Sequence, residues 1–250
     1  MIRRHYLYLA AGFVGVLALA CGGGGGGDEL ERALQSVTDD QLAIMVLPKE
    51  ELGDAAADLP LDSDPGESGF QDNQAAADDT FDPDDTAADI EQAGRVNGYE
   101  LSYSDFSRLG EGEGAVEVDT AVELYKDADA ASAGLARFID DLNQFAAQDT
   151  GQGFFYEEVK TFTVSGLGDE AVGIRARFKI TEGDITGYTT FVAFRVDRLL
   201  AGTVQVRNDD KDVNSQLVEI MRALEERMKG VLLGDITGTP VPIPSPQEGE

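Results

Sequence analysis

Val172, Ile174, Ala176, Phe178 and Ile180 alternate strictly with Gly173, Arg175, Arg177 and Lys179. A period of two, apolar on one phase and largely basic on the other, is that of a β-strand with one face buried and one face wet. Further strand-like runs follow the same logic at 155–164, 188–196 and 200–206. An amphipathic helix closes the series over 213–232, where Val213, Leu217, Ile220, Met221, Leu224, Met228, Val231 and Leu232 form one stripe. Upstream, Tyr99, Leu101 and Tyr103 alternate as one strand, and Val116, Val118, Val122 and Leu124 share the inward face of a second. Leu135, Phe138, Ile139, Leu142 and Phe145 then recur at helical spacing after a cap at Asp127 or Asp129. The order strand, strand, helix, four strands, helix predicts an α+β fold over 96–233. It is a two-layer sandwich, a mainly antiparallel six-stranded sheet with two long helices packed on one face.

The start of the chain follows other rules. Arg3 and Arg4 precede an apolar run over 7–20 that holds no acid, and Ala18, Leu19, Ala20 and Cys21 close it. A charged start, a short apolar stretch and small residues before a cut mark a signal peptide over 1–20, too short for a comfortable membrane span. The cysteine directly after Ala20 makes this segment resemble a bacterial lipoprotein signal. That resemblance implies acylation of Cys21 with palmitate-type chains and a membrane partner reached through that lipid. The address becomes the cell envelope, at the outer face of the cytoplasmic membrane or the cell surface. An uncleaved anchor with a chance cysteine is the alternative. The glycines at 22–27 complete a tether over 21–27, spanning about 13 Å root-mean-square as a random coil.

Removal of the signal changes the inventory. The whole chain carries 19 Lys and Arg against 48 Asp and Glu, a formal charge of −29. Without Arg3 and Arg4 the balance is 17 against 48, or −31, and the single histidine, His5, leaves too. Such a chain repels phosphate backbones, so no nucleic-acid partner is expected. With no imidazole and its one cysteine acylated, it lacks the parts of a nucleophilic triad and the usual zinc or copper ligands. No cofactor and no catalytic residue are expected, and the chain reads as a non-enzyme. Carboxylates remain. The stretch from Asp62 through Asp64 and Gly66 to Asn73 fails as an EF-hand loop, because the glycine comes one place early and the twelfth position is not Glu. Asp78, Asp79, Asp82, Asp84 and Asp85 are a weak calcium candidate, with a solvated acidic face as the preferred reading. The pairs Asp140–Asp141, Glu157–Glu158 and Asp169–Glu170 could suggest acid/base hydrolysis, but no tryptophan is present to stack a sugar.

Residues 28–95 form an acidic, partly disordered segment with short helices. Thr38 and Gln41 make a capping box, and Asp85 or Thr86 caps a helix that ends at Gly94. Between 49 and 85 the apolar residues are isolated, with Phe70 and Phe81 the expected docking points. The Pro-rich tail over 234–250 should extend rather than pack.

Two surfaces could carry function. Arg175, Arg177, Lys179, Arg195 and Arg207 would gather on the open face of the sheet. They would either pair across strands with Glu157, Glu117 or Glu123, or receive something acidic. The second surface comes with a resemblance. Gly166-Leu167-Gly168-Asp169-Glu170-Ala171, a strand containing Phe191-Val192-Ala193-Phe194-Arg195, and the run 200–206 resemble actinobacterial extracytoplasmic proteins: small lipoproteins and the ectodomain of PknH-type receptor kinases. That resemblance, over about 160–232, implies an α+β sandwich with a sensor-like cleft between sheet and helices. This chain lacks the cysteines that staple the kinase ectodomain. Tyr99, Tyr103, Phe138, Phe145, Phe178 and Phe194 are the candidate lining, or else plain core. The leading expectation is a lipid-anchored, non-enzymatic module for an unknown small ligand or protein partner. The alternative is an envelope structural or assembly factor working through protein contacts.

Overall fold

The computed structural model describes residues 27–64, 66–78, 80, 82, 84–145, 154–181 and 183–244. Three short helices come first: α1 (Gly27–Leu34), α2 (Asp39–Met45) and α3 (Lys49–Leu52). Strand β1 (Gly69–Gln71), helices α4 (Asn73–Asp78) and α5 (Ala87–Ala93), and strands β2 (Arg95–Ser104) and β3 (Ala115–Tyr125) follow. Helix α6 (Ala128–Phe145) leads to β4 (Phe154–Phe162), β5 (Glu170–Ile180), β6 (Ile185–Val196) and β7 (Leu199–Arg207), and α7 (Asn214–Leu233) closes the fold. The strands form one antiparallel sheet in the order β1-β2-β3-β7-β6-β5-β4.

The α+β class and the antiparallel sheet are as the alternation predicts. The sheet has seven strands rather than six, because β1 pairs with β2 and sets Phe70 opposite Tyr99. Three residues with one apolar member give no period to detect.

The two long helices lie on opposite faces of the sheet, not on one. In β6, Val192, Phe194 and Val196 belong to one core, and Phe191 and Ala193 to another. All nine residues of β7 are buried. Central strands that are dry on both sides need a cover on both sides. Helix α7 provides one with Leu217, Met221, Leu224 and Met228. Helix α6 provides the other with Ala131, Leu135, Phe138 and Leu142, the Phe138 ring meeting Phe191 edge-on at 5.4 Å. The wet phase of β5 is a local property: β5 lies next to the edge strand β4, while β6 and β7 lie inside.

The first part of the segment 49–85 is packed rather than loose, for Leu52, Ala55, Ala56 and Leu59 are buried beside Leu42, Met45 and Leu47 in the α7-side core. Isolated leucines reach the core because short helices and turns aim each one separately. Phe70 is not a docking point, since it is 50 % exposed, and Phe81 lies outside the described residues. The start of the tail also packs: the Ile236 amide donates to the Gly230 carbonyl at 2.9 Å, and Ile236, Val241 and Ile243 rest against the α7-side core. The expected capping box of Thr38 with Gln41 forms, Thr86 rather than Asp85 caps α5 and does so in a box with Asp89, and Asp127 caps α6 by accepting from the Ala130 amide.

Candidate functional site

Strand β4 ends at Phe162, whose ring lies across Gly173 of the neighbouring strand. The chain then runs through Thr163, Val164 and Ser165 towards β5, facing the first turns of α7. Positions 214, 215, 218, 219 and 222 recur on one side of that helix, flanking the stripe that enters the core. An open cleft of about 330 Å3 lies between the two. Phe162, Val164 and Val218 give it an apolar side, and Thr163, Ser165, Asn214 and Ser215 give it hydroxyl and amide groups. Its one acid, Glu219, is paired with Arg222 at 2.5 Å, and Arg222 also donates to the Ser165 carbonyl at 3.5 Å. Val213, the residue before α7, provides no side-chain cap, but the Asp212 carboxylate beside it accepts from the Asn214 amide at 2.9 Å, so the positive end of the helix dipole already has an acid. Arg175 fixes the approach to α7 by donating to the carbonyls of Asp210 and Lys211 while its guanidinium stands 4.9 Å from the Tyr188 ring centroid.

The aromatic residues expected to line a cleft do not converge on one. Tyr99, Tyr103 and Phe194 are buried under α7, and Phe138 and Phe178 under α6 on the far side of the sheet. Phe145 ends α6, and its side chain lies outside the described residues. Burial raises the Tyr103 phenol to about 12.

The basic set divides as well. Arg177 pairs across strands with Tyr188, which pairs with Arg207, so these share a face with Arg175 and Lys179. Arg195 is on the opposite phase, level with Glu170. The members are held by local acids: Arg177 by Glu157 at 3.3 Å, Lys179 by Asp184 at 3.2 Å, Arg207 by Asp209 at 2.7 Å. Hydrogen bonds from Arg207, then from the Gly114 and Lys211 amides, hold Asp209 down at about 2. Glu117 and Glu123 face the other way, so cross-strand pairing with them does not arise on this surface.

Arg195 explains the glycine motif. Its guanidinium bridges Asp169 and Glu170, both at 3.1 Å, while the Asp169 amide donates to the Arg195 carbonyl at 2.7 Å. Gly168 has φ +54°, and a Cβ there would stand 2.3 Å from the Arg195 carbonyl oxygen. The motif therefore locks the entry of β5 against the β6–β7 hairpin, a structural corner. Of the acidic run, Asp79 lies outside the described residues, as does Cys21. Asp78 accepts from Gln74, Asp82 accepts from the Asp84 amide, and Asp85 pairs with Arg137. Among the described residues no three His, Cys, Asp or Glu side chains are placed to hold a metal.

Sequence reasoning missed a buried polar layer on the α6 side of β2 and β3. Glu100, Ser102, Ser104, Glu117, Asp119 and Glu123 are all buried there. Arg95, 3 % exposed, donates through Nε to Glu123 at 2.8 Å and through Nη1 to the Gln71 and Asp72 carbonyls and Asn73. Gly98 makes this possible, since a Cβ there would lie 2.8 Å from the Arg95 guanidinium. The Tyr125 hydroxyl donates to the other Glu123 oxygen at 3.0 Å. Burial raises the Glu123 pKa against the opposing pull of Arg95 and Tyr125. A strand with alternate Glu, Ser and Asp reads as wet on that phase, so the pattern itself held no signal for burial. The lone Arg95 opening a strand, with Gly98 three places on, was the one usable clue.

No helix among the described residues is long and apolar enough to cross a membrane. No protein-family model matches the chain. No curated protein matches it either. Among solved structures the chain is similar to the extracellular domain of PknH from Mycobacterium tuberculosis, with 14 % identity and a TM-score of 0.47, covering 77 % of this chain and 96 % of that one. At that depth, what the molecule does has to be argued from its own cleft.

Proposed function

We propose that the chain is a lipid-anchored, extracytoplasmic binding module that takes a small polar ligand in the cleft between the β4–β5 connection and the start of α7, without catalysing its turnover. The observation that carries this reading is the cleft's composition. It is apolar on one side, lined with hydroxyls and an amide on the other, and bounded by Arg222. Its only carboxylate is already paired, in a molecule of charge −29. A small molecule with hydroxyl groups and a short apolar part matches those walls, and about 330 Å3 lies at the small end of ligand sites. The N-terminal signal supports the address, and acylated Cys21 would hold the domain close to the bilayer on its glycine tether.

Native mass spectrometry of the full chain, extracted in detergent from its own host, tests both parts. The mass at the N-terminus should correspond to acylated Cys21, and a small co-purifying mass should be lost from Val218→Trp, which fills the cleft. A chain that retains Met1 with a free thiol would remove the address. A clean, ligand-free protein, or a ligand that Val218→Trp keeps, would remove the site. A second reading, a contact surface for another protein, has its own support in Phe70, half exposed on the short edge strand β1.

A further inference from the structure

Helices α4 and α5 form a thin flap on the α6 side of the sheet, packed on β2. Among the described residues its own apolar core consists of Ala76 and Ile90, with Ala77 against them, separate from both main cores. Polar ties at both ends add to that packing. Its root is fixed by the buried Arg95, which grips β1, the start of α4 and Glu123 together.

Its other end is held differently. Asp85, directly before the Thr86 cap of α5, pairs with Arg137 of α6, and Arg137 also reaches Asp141 one turn along at 3.3 Å. Their side chains are 9 %, 16 % and 13 % exposed. Two carboxylates thus share one guanidinium away from water. Asp82 and Asp89 add negative charge from the flap side, and on the sheet side the cluster faces Tyr125 and the Arg95–Glu123 pair. Arg95, on the sheet side, is already bound to Glu123. One proton would leave one carboxylate per guanidinium and relieve the repulsion between Asp85 and Asp141.

We infer that Asp85, Arg137 and Asp141 form an acid-tightened latch that sets how often the α4–α5 flap lifts from the sheet. Burial, followed by the charges of Asp85 and Asp82, pushes Asp141 up to about 6 against the pull of Arg137, and burial raises Asp85 as well. The sign follows. A carboxyl with a closed-state value above its ordinary one binds its proton more tightly when the flap is shut. Closure strengthens as pH falls from about 6 towards 4 and is weakest above 6. For Asp141 alone the closing equilibrium changes about tenfold between pH 7.5 and 5. Lifting the flap admits water to the polar face of β2 and β3, so the latch couples outside acidity to access to that face.

Hydrogen exchange of the full chain, corrected for the intrinsic pH dependence of exchange, tests this. Protection of α5 should rise about tenfold from pH 7.5 to 5, while α7 changes little. Asp141→Asn keeps the shape and cannot ionise, so it should show the acid level of protection at both pH values. Arg137→Gln leaves two carboxylates without their cation and should lose α5 protection at pH 7.5 while regaining part of it at pH 5. Protection of wild-type α5 that is flat or falls on acidification overturns the latch. So does an Asp141→Asn protein with the wild-type pH slope, or an Arg137→Gln protein that exchanges like wild type.

Discussion

Strands β2 and β3 carry two buried faces made from opposite materials. Towards α7 they present Tyr99, Leu101, Tyr103, Val118 and Val122, and leucines and methionines from α2 and α7 close over them. Towards the flap the same strands present Glu100, Ser102, Ser104, Glu117, Asp119 and Glu123, also buried. The first face is held by area removed from water, which is non-directional and spread over many side chains. The second is held by a few directed bonds, each of which leaves a costly remainder when one partner goes. One sheet thus has a side that degrades gradually under mutation and a side that fails at single points.

The sharpest way to break this contrast is Arg95→Leu. Removing the guanidinium leaves Glu123 buried beside Tyr125 without its cation, and should cost about 3–5 kcal/mol in urea unfolding. Adding Glu123→Leu should recover most of the loss, because the pair is then replaced by apolar volume rather than halved. If Arg95→Leu alone costs less than about 1 kcal/mol, water or another partner reaches Glu123, and the flap side is not held by directed bonds. On the other face, Leu224→Ala should cost about 3 kcal/mol through lost burial and an incompletely collapsed cavity, with no second substitution able to restore it by charge.

This contrast also decides what could be read in advance. The α7 stripe, the alternation of β5, the Thr38 capping box, the Thr86 cap and the glycine at the end of α5 are local patterns with local causes, and all appear in the fold. What failed was the extension of one strand's wet face to the whole sheet. Arg175, Arg177 and Lys179 stay partly exposed because β5 adjoins the edge, whereas Val192 and Phe191 are both buried because β6 does not. That is a fact of strand order, which alternation does not encode. A cleft was expected between sheet and helices; the one described lies between the β4–β5 connection and the start of α7, with other walls. Large aromatics at helix or strand spacing marked core, while Thr163, Ser165 and Ser215 come together only through the meeting of a loop and a helix start. The polar layer was hidden for a related reason: Glu and Ser on alternate positions look solvated unless the covering helices are known.

The smallest effect tests the surface on which the sequence placed most weight. Arg177 and Glu157 are 37 % and 36 % exposed and 3.3 Å apart across β4 and β5. At that exposure the Coulomb gain is screened, and two long side chains lose freedom to keep the contact. A double-mutant cycle with Arg177→Ala and Glu157→Ala should give a coupling of a few tenths of a kcal/mol, fading in high salt. A coupling near 2 kcal/mol would make this corner resemble the Arg95 site rather than a screened surface pair. A second outcome bears on function. If Arg177→Ala leaves stability untouched yet removes the co-purifying mass, the ligand reaches along the sheet face past Arg175, and the cleft is one end of a longer groove. The expected result, small coupling and an unchanged ligand, confines binding to the start of α7 and leaves the basic residues the local task of offsetting the acids beside them.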